Sequence, residues 1–155
     1  MLLEPLITWP GRPDYEPPPP IQPLSGPQKE QFELGRVLYE ASCASCHQKS
    51  GLGLEGQAPP LAESEWVLGS PERLIRIVLH GVKGPIHVGG RRYEQLEMPA
   101  LNAFDDQQIA AILTYIRREW EHGADPVSAD SVQRIRAATA NRSEAWTEAE
   151  LLKIK

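Results

Sequence analysis

Three stretches of the chain place apolar residues at helical spacing, each bracketed by start and stop signals. From about Pro27 to Ala41, Phe32, Gly35, Val37, Leu38 and Tyr39 form one face. Glycine inside a helix costs about 1 kcal/mol against alanine, so Gly35 calls for a packing reason. The second stretch opens with Ser70-Pro71-Glu72: an N-cap, a proline at the first position and an acid in the first turn. Leu74, Ile77 and Val78 make its inward stripe, His80 is placed to cap its end, and Gly81 stops it. The third starts at Asp105 or Asp106. Ile109, Ile112, Leu113, Ile116 and Trp120 then follow at i, i+3, i+4, i+7 and i+11, a continuous buried face.

Elsewhere the period changes. Residues 82–97 read as an insertion, with Ile86-His87-Val88, Gly89-Gly90 and Arg91-Arg92-Tyr93 predicting a short β-hairpin with a two-glycine turn. Such a ribbon is marginal alone and must lean on its surroundings. After Asp125-Pro126, Ser128 caps a helix to about Thr139, and Thr147-x-x-Glu150 is a capping box for a last turn. Val132, Ile135 and Trp146 are expected to wrap this extension across the surface. At the other end, Pro17–Pro20 excludes helix and favours extended polyproline II, a semi-rigid spacer of roughly 3 Å per residue. Leu6, Ile7 and Trp9 are the apolar part of that arm and are expected to pack on this domain or a neighbour. The pattern divides the chain into an arm (1–26), a central domain (27–123) and a helical extension (124–155).

Cys43-Ala44-Ser45-Cys46-His47 supplies the chemistry. C-x-x-C-H is the attachment signature of a c-type haem. Each cysteine adds across a porphyrin vinyl group, and two intervening residues let one turn reach both vinyls. The adjacent histidine can then donate its imidazole to the iron. Two other readings of the pair are weaker. A zinc site would need two more ligands, because Cys43 and Cys46 are the only cysteines. A thioredoxin-like redox pair belongs after a strand, and no alternating apolar strand precedes this one.

The second axial ligand is expected to be Met98, the one methionine besides Met1, in a polar loop that ends Met98-Pro99 before the third helix. His/Met ligation would favour reduced iron and raise the potential relative to two histidines. His80, His87 and His122 compete for the position, and each reads as a surface histidine.

On these residues, the run from about Glu30 to Trp120 resembles a class I, single-haem cytochrome c domain: an amphipathic helix into C-x-x-C-H, Pro59-Pro60-Leu61 after a glycine-rich loop at 51–56, a middle helix, Met-Pro and a closing helix. It is further similar to the cytochrome modules fused to exported or membrane-bound dehydrogenase-like proteins of planctomycete-type bacteria. The segments that carry this are Pro59–Ala62, Arg73–Gly81 and Ala110–Arg117, with Arg136–Thr139 in the tail. The resemblance implies a mainly α fold round one covalent haem c, plus the hairpin insertion and the C-terminal extension. It implies that a small residue at Gly35 lets the first and last helices cross closely beside Phe32 or Tyr39. It also implies that the Pro59 carbonyl orients His47 and that Leu61 packs on the haem. Trp66, Arg73 and Tyr93 are candidate donors to the haem propionates, since buried carboxylates need them.

Composition bounds the partners. A net charge of −5 argues against nucleic acid, which selects a basic face. No run of about 18 apolar residues offers a membrane span. Haem c is attached outside the bacterial cytoplasm, so a periplasmic or otherwise exported protein is expected. Met1–Ile7 lacks a basic start, which suggests a chain excised from a larger exported protein. The expected function is single-electron transfer from a fused or partner dehydrogenase to a redox protein. The alternative is a haem enzyme or small-ligand sensor with an exchangeable sixth ligand, for which His87 is the available distal group.

Overall fold

Ser25 and Asp105 start the two helices that cross at the centre of the molecule. The computed structural model describes residues 11, 13, 15–95 and 97–155, so Leu6, Ile7 and Trp9 lie outside the described residues. Helix α1 (Gly26–Ser42) and helix α5 (Asp106–Arg118) each begin with a full capping box, Ser25 with Gln28 and Asp105 with Gln108. Between them come α2 (Ala44–His47), α3 (Glu65–Leu68), α4 (Pro71–His80) and the strands β1 (Ile86–Val88) and β2 (Arg91–Tyr93). Helices α6 (Ala129–Ala138) and α7 (Glu148–Leu151) follow α5. The chain is mainly helical, in keeping with the class I cytochrome c architecture.

Gly35 is the crossing point of α1 and α5. A Cβ there would sit 2.0 Å from the Ala111 carbonyl oxygen and 2.8 Å from Tyr115 Cβ. No side chain fits that gap, which explains a helix-interior glycine. Aromatic rings flank it, with Tyr115 5.2 Å from Phe32 and 5.1 Å from Tyr39. Ile109, Ile112 and Leu113 of α5 are fully buried. Two residues depart from the sequence reading. Val37, assigned to the inner face of α1, is 55% exposed, because Gly35 and Tyr39 alone of that helix are fully inside. Trp120, assigned to α5, lies beyond the end of the helix at φ +52°, where its ring meets Tyr39, Tyr115 and His122.

The extension is not a surface strap. Val127, Val132 and Ile135 are buried in the same core as Leu74, Leu113 and Ile116. Arg117 helps join the parts: it is buried and donates to the carbonyls of Val67, Gly69 and Asp125, and burial pushes its guanidinium below the usual value. Ser70 precedes α4 as its N-cap but makes no side-chain cap; its hydroxyl donates instead to the carbonyl of Lys155.

The hairpin forms with the expected turn. Ile86 pairs with Tyr93 and Val88 with Arg91, and Gly89 and Gly90 both take positive φ. Val88 and Tyr93 face inward onto a second apolar cluster with Trp66, Ile77, Val82 and Leu151, against which Met98 and Trp146 also pack.

Candidate haem site

The motif cysteines stand at the α1–α2 junction. Cys43 is the C-cap of α1 and N-cap of α2, and its amide closes on the Tyr39 carbonyl at 2.8 Å. This tight turn leaves Cys46 exposed and Cys43 half-buried, both as free thiols. Burial, then the neighbouring Cys46, pushes the Cys43 thiol up to about 11. A thiol so held is protonated at neutral pH, unlike the activated thiolate of a redox pair. Among the described residues no three His, Cys, Asp or Glu side chains gather into a metal-binding group.

His47 ends α2 and is buried. Its Nδ1 lies 2.9 Å from the carbonyl oxygen of Pro59. A carbonyl can only accept, so Nδ1 carries the proton and Nε2 keeps its lone pair. Burial lowers the imidazole's pKa against the opposing effect of that bond. The loop between the two residues is fastened rather than free: Gly53 donates to the His47 carbonyl, and Leu61 and Ala62 both donate to Gly51.

Two adjoining cavities open beside this ring. One, of about 240 Å³, is lined by Cys43, Cys46, His47, Ala58, Met98 and Leu101, among others. The other, of about 70 Å³, is lined by Leu61, Trp66, Leu74, Ile77, Val82 and Tyr93, among others. His47, Gln57, Pro59 and Met98 line both, which makes them one crevice. Its donor set fits a haem c: two thiols, an imidazole with a lone pair, a thioether and a wall of aliphatic side chains.

The remaining assigned residues divide. Leu61 and Tyr93 line the crevice. Trp66 also lines it, but its Nε1 donates to the His87 carbonyl at 2.8 Å and so holds the hairpin. Arg73 is not brought to the crevice; Leu74 and Ile77 take the inward side of α4, and Arg73 Nε donates to the Ile154 carbonyl. Gln57, which the sequence reading passed over, lines both cavities and offers two amide donors.

The competing histidines are engaged elsewhere. His87 points outward from β1, 53% exposed at its side chain, with Nδ1 3.0 Å from Glu148 Oε2. His80, assigned as a cap for α4, bonds Thr139 Oγ1 at 2.8 Å through Nε2. His122 is not a surface residue: it is buried, with Nδ1 on the Ile116 carbonyl and Nε2 accepting from the Glu63 amide. Only its position after the closing helix was visible in the sequence; the partner, Glu63, lies 59 residues away.

Comparison with known proteins agrees with this geometry. The family model described as Cytochrome c matches residues 32–120. Cytochrome c-552 of Thermus thermophilus is 33% identical over 130 residues, which cover 78% of this chain and 98% of that protein. The fructose dehydrogenase cytochrome subunit of Gluconobacter japonicus is 33% identical over 111 residues, 66% of this chain and 22% of that protein. The cytochrome c subunit of the quinone-type alcohol dehydrogenase of Gluconobacter oxydans is 30% identical over 118 residues, 74% of this chain and 24% of that protein.

Proposed function

We propose that this chain, which belongs to the cytochrome c family, would hold one haem c through Cys43 and Cys46, with His47 and Met98 as the residues that ligate its iron. Its function is electron transfer by that c-type haem. One observation carries the residue assignment: both thiols, the His47 imidazole and the Met98 side chain line one crevice.

Haem c, when bound, supplies the one-electron Fe(III)/Fe(II) couple. The chain sets its conditions. The Pro59 carbonyl takes the His47 proton donor, which fixes the tautomer and raises the basicity of the ligating nitrogen. A Met98 thioether ligating together with the His47 imidazole would favour the reduced state. Leu61, Trp66, Leu74 and Ile77 keep water from the crevice. Tyr93 and Gln57, which line the crevice, face the propionates, whereas the Trp66 indole N–H serves the His87 carbonyl and Arg73 is not part of the crevice lining. Met98 as an iron ligand would occupy the position that a substrate needs, which supports a carrier role.

The dehydrogenase cytochrome subunits among the relatives support a dehydrogenase, fused or separate, as electron source. Among the described residues no helix is long and apolar enough to cross a membrane. Haem c attachment outside the cytoplasm makes the periplasm or another exported location the working compartment. Acid-acetone extraction of the holoprotein tests the attachment. Colour is expected to stay with the protein, and haem that extracts freely from the intact chain overturns the assignment.

A further inference from the structure

The backbone around Met98 is held by a part of the chain remote in sequence. Val82 pairs antiparallel with Met98 on one side and parallel with Trp146 on the other. The Val82 amide donates to the Met98 carbonyl at 3.1 Å, and the Met98 amide returns to the Val82 carbonyl at 3.0 Å. Across the other edge, Trp146 N–H donates to the Gly81 carbonyl and Lys83 N–H to the Trp146 carbonyl, both at 2.9 Å. These bonds form a three-strand ladder in the order Met98, Val82, Trp146. The turn leading into Trp146 is clamped by Arg142, whose guanidinium donates to the carbonyls of Glu144 and Ala145, pairs with Glu150 and lies 3.5 Å above the Trp146 ring.

The Trp146 ring stays in place at a cost. Its Nε1 is buried without a hydrogen-bond partner among the described residues, an arrangement that leaves its desolvation uncompensated. The ring packs in the apolar cluster shared by Val82, Tyr93 and Met98, and forms a T-shaped pair with His80, ring centroids 6.2 Å apart. The indole N–H contributes nothing there; the ring's bulk behind the Val82 strand is what remains.

We propose that Trp146, clamped by Arg142, is a positioning residue for the Met98 ligand: it backs the Val82 strand and so holds the Met98 sulfur on the iron. This rests on the Met98 ligation proposed above. Without the ring, Val82 and Met98 retain their mutual hydrogen bonds but lose the support behind them, and Met98 spends more time off the iron. An added ligand reads that population directly, because its apparent dissociation constant falls in proportion as the binding-competent, Met98-off form becomes more populated.

The probe is imidazole, titrated into the oxidised holoprotein at neutral pH while the near-infrared sulfur-to-iron charge-transfer band is followed. Trp146→Ala is expected to bind imidazole about tenfold more tightly than the unaltered protein through that population shift. Haem retention and helical circular dichroism should be unchanged. Trp146→Phe keeps the ring, removes the unpartnered N–H and should restore the original affinity. Should Trp146→Ala fail to fold, Arg142→Ala is read by the same titration and should shift in the same direction. Unchanged imidazole affinity in a folded Trp146→Ala, or in Arg142→Ala when that variant replaces it, overturns the positioning role while leaving Met98 ligation intact. A charge-transfer band absent from the unaltered protein overturns both.

Discussion

The two walls of the crevice are built in different ways. The His47 wall is local: two thiols, the imidazole and the carbonyl that orients it all fall between Cys43 and Pro59, joined by a tight helical turn and a hydrogen-bonded loop. The Met98 wall is assembled from three distant segments, with Val82 between Met98 and Trp146. A local wall survives most changes elsewhere, because its geometry is fixed by covalent neighbours. An assembled wall depends on long-range packing, so it is the place where coordination fails first. The comparison predicts that damage to the fold removes Met98 ligation while His47 ligation and covalent attachment persist.

The largest break is on the local side. Replacing both Cys43 and Cys46 by serine removes the covalent tether, and acid-acetone extraction should then remove all the colour. Gly81→Val attacks the other wall. A Cβ at Gly81, where φ is +78°, would lie 2.2 Å from the Met98 carbonyl oxygen. That variant should lose the sulfur-to-iron band yet keep its haem through extraction, with a stability loss of about 1–3 kcal/mol from strain and overpacking.

Such a division between the walls also explains what could be read from the sequence. The cysteine motif and the capping box of α7 are short-range patterns, and they are legible, whereas the Pro59 carbonyl came only with the family resemblance. Gly35 was legible because a glycine inside a periodic helix needs a reason. The Val82–Trp146 pairing was not legible, since an isolated bridge leaves no period in the sequence. Trp120 was misplaced because its spacing fits the α5 stripe, although the chain turns at Glu119 before reaching it. Trp66 and Arg73 were assigned by residue type alone, and type does not reveal that the Trp66 N–H meets the His87 carbonyl or that Arg73 Nε reaches the Ile154 carbonyl.

Smaller effects sharpen the contrast. The Glu150 carboxyl is held down to about 2 from its ordinary 4.5, first by its hydrogen bond to Arg142 and then by Thr147. A depressed carboxylate stabilises the folded state fully above its ordinary pKa and loses that contribution as pH falls toward the folded value. The clamp on Trp146 should therefore loosen between about pH 4.5 and 2, and Glu150→Gln should flatten that part of an acid-unfolding curve. The smallest effect belongs to the proline arm. Removing residues 1–20 leaves in place the Ser25 capping box of α1, the Ile21 contact with Gly123 and the Gln22 carbonyl that accepts from Arg118. Stability measured by denaturant should move by no more than about 0.5 kcal/mol, with the visible spectrum unchanged.

The central claim is that His47 and Met98 face one another across a covalently attached haem. It is tested most directly by the near-infrared sulfur-to-iron band of the oxidised holoprotein, compared with that of Met98→Ala. The unaltered protein should show the band, and Met98→Ala should lose it while the haem remains attached. A low-spin spectrum without the band in the unaltered protein, or a band that survives Met98→Ala, would contradict it.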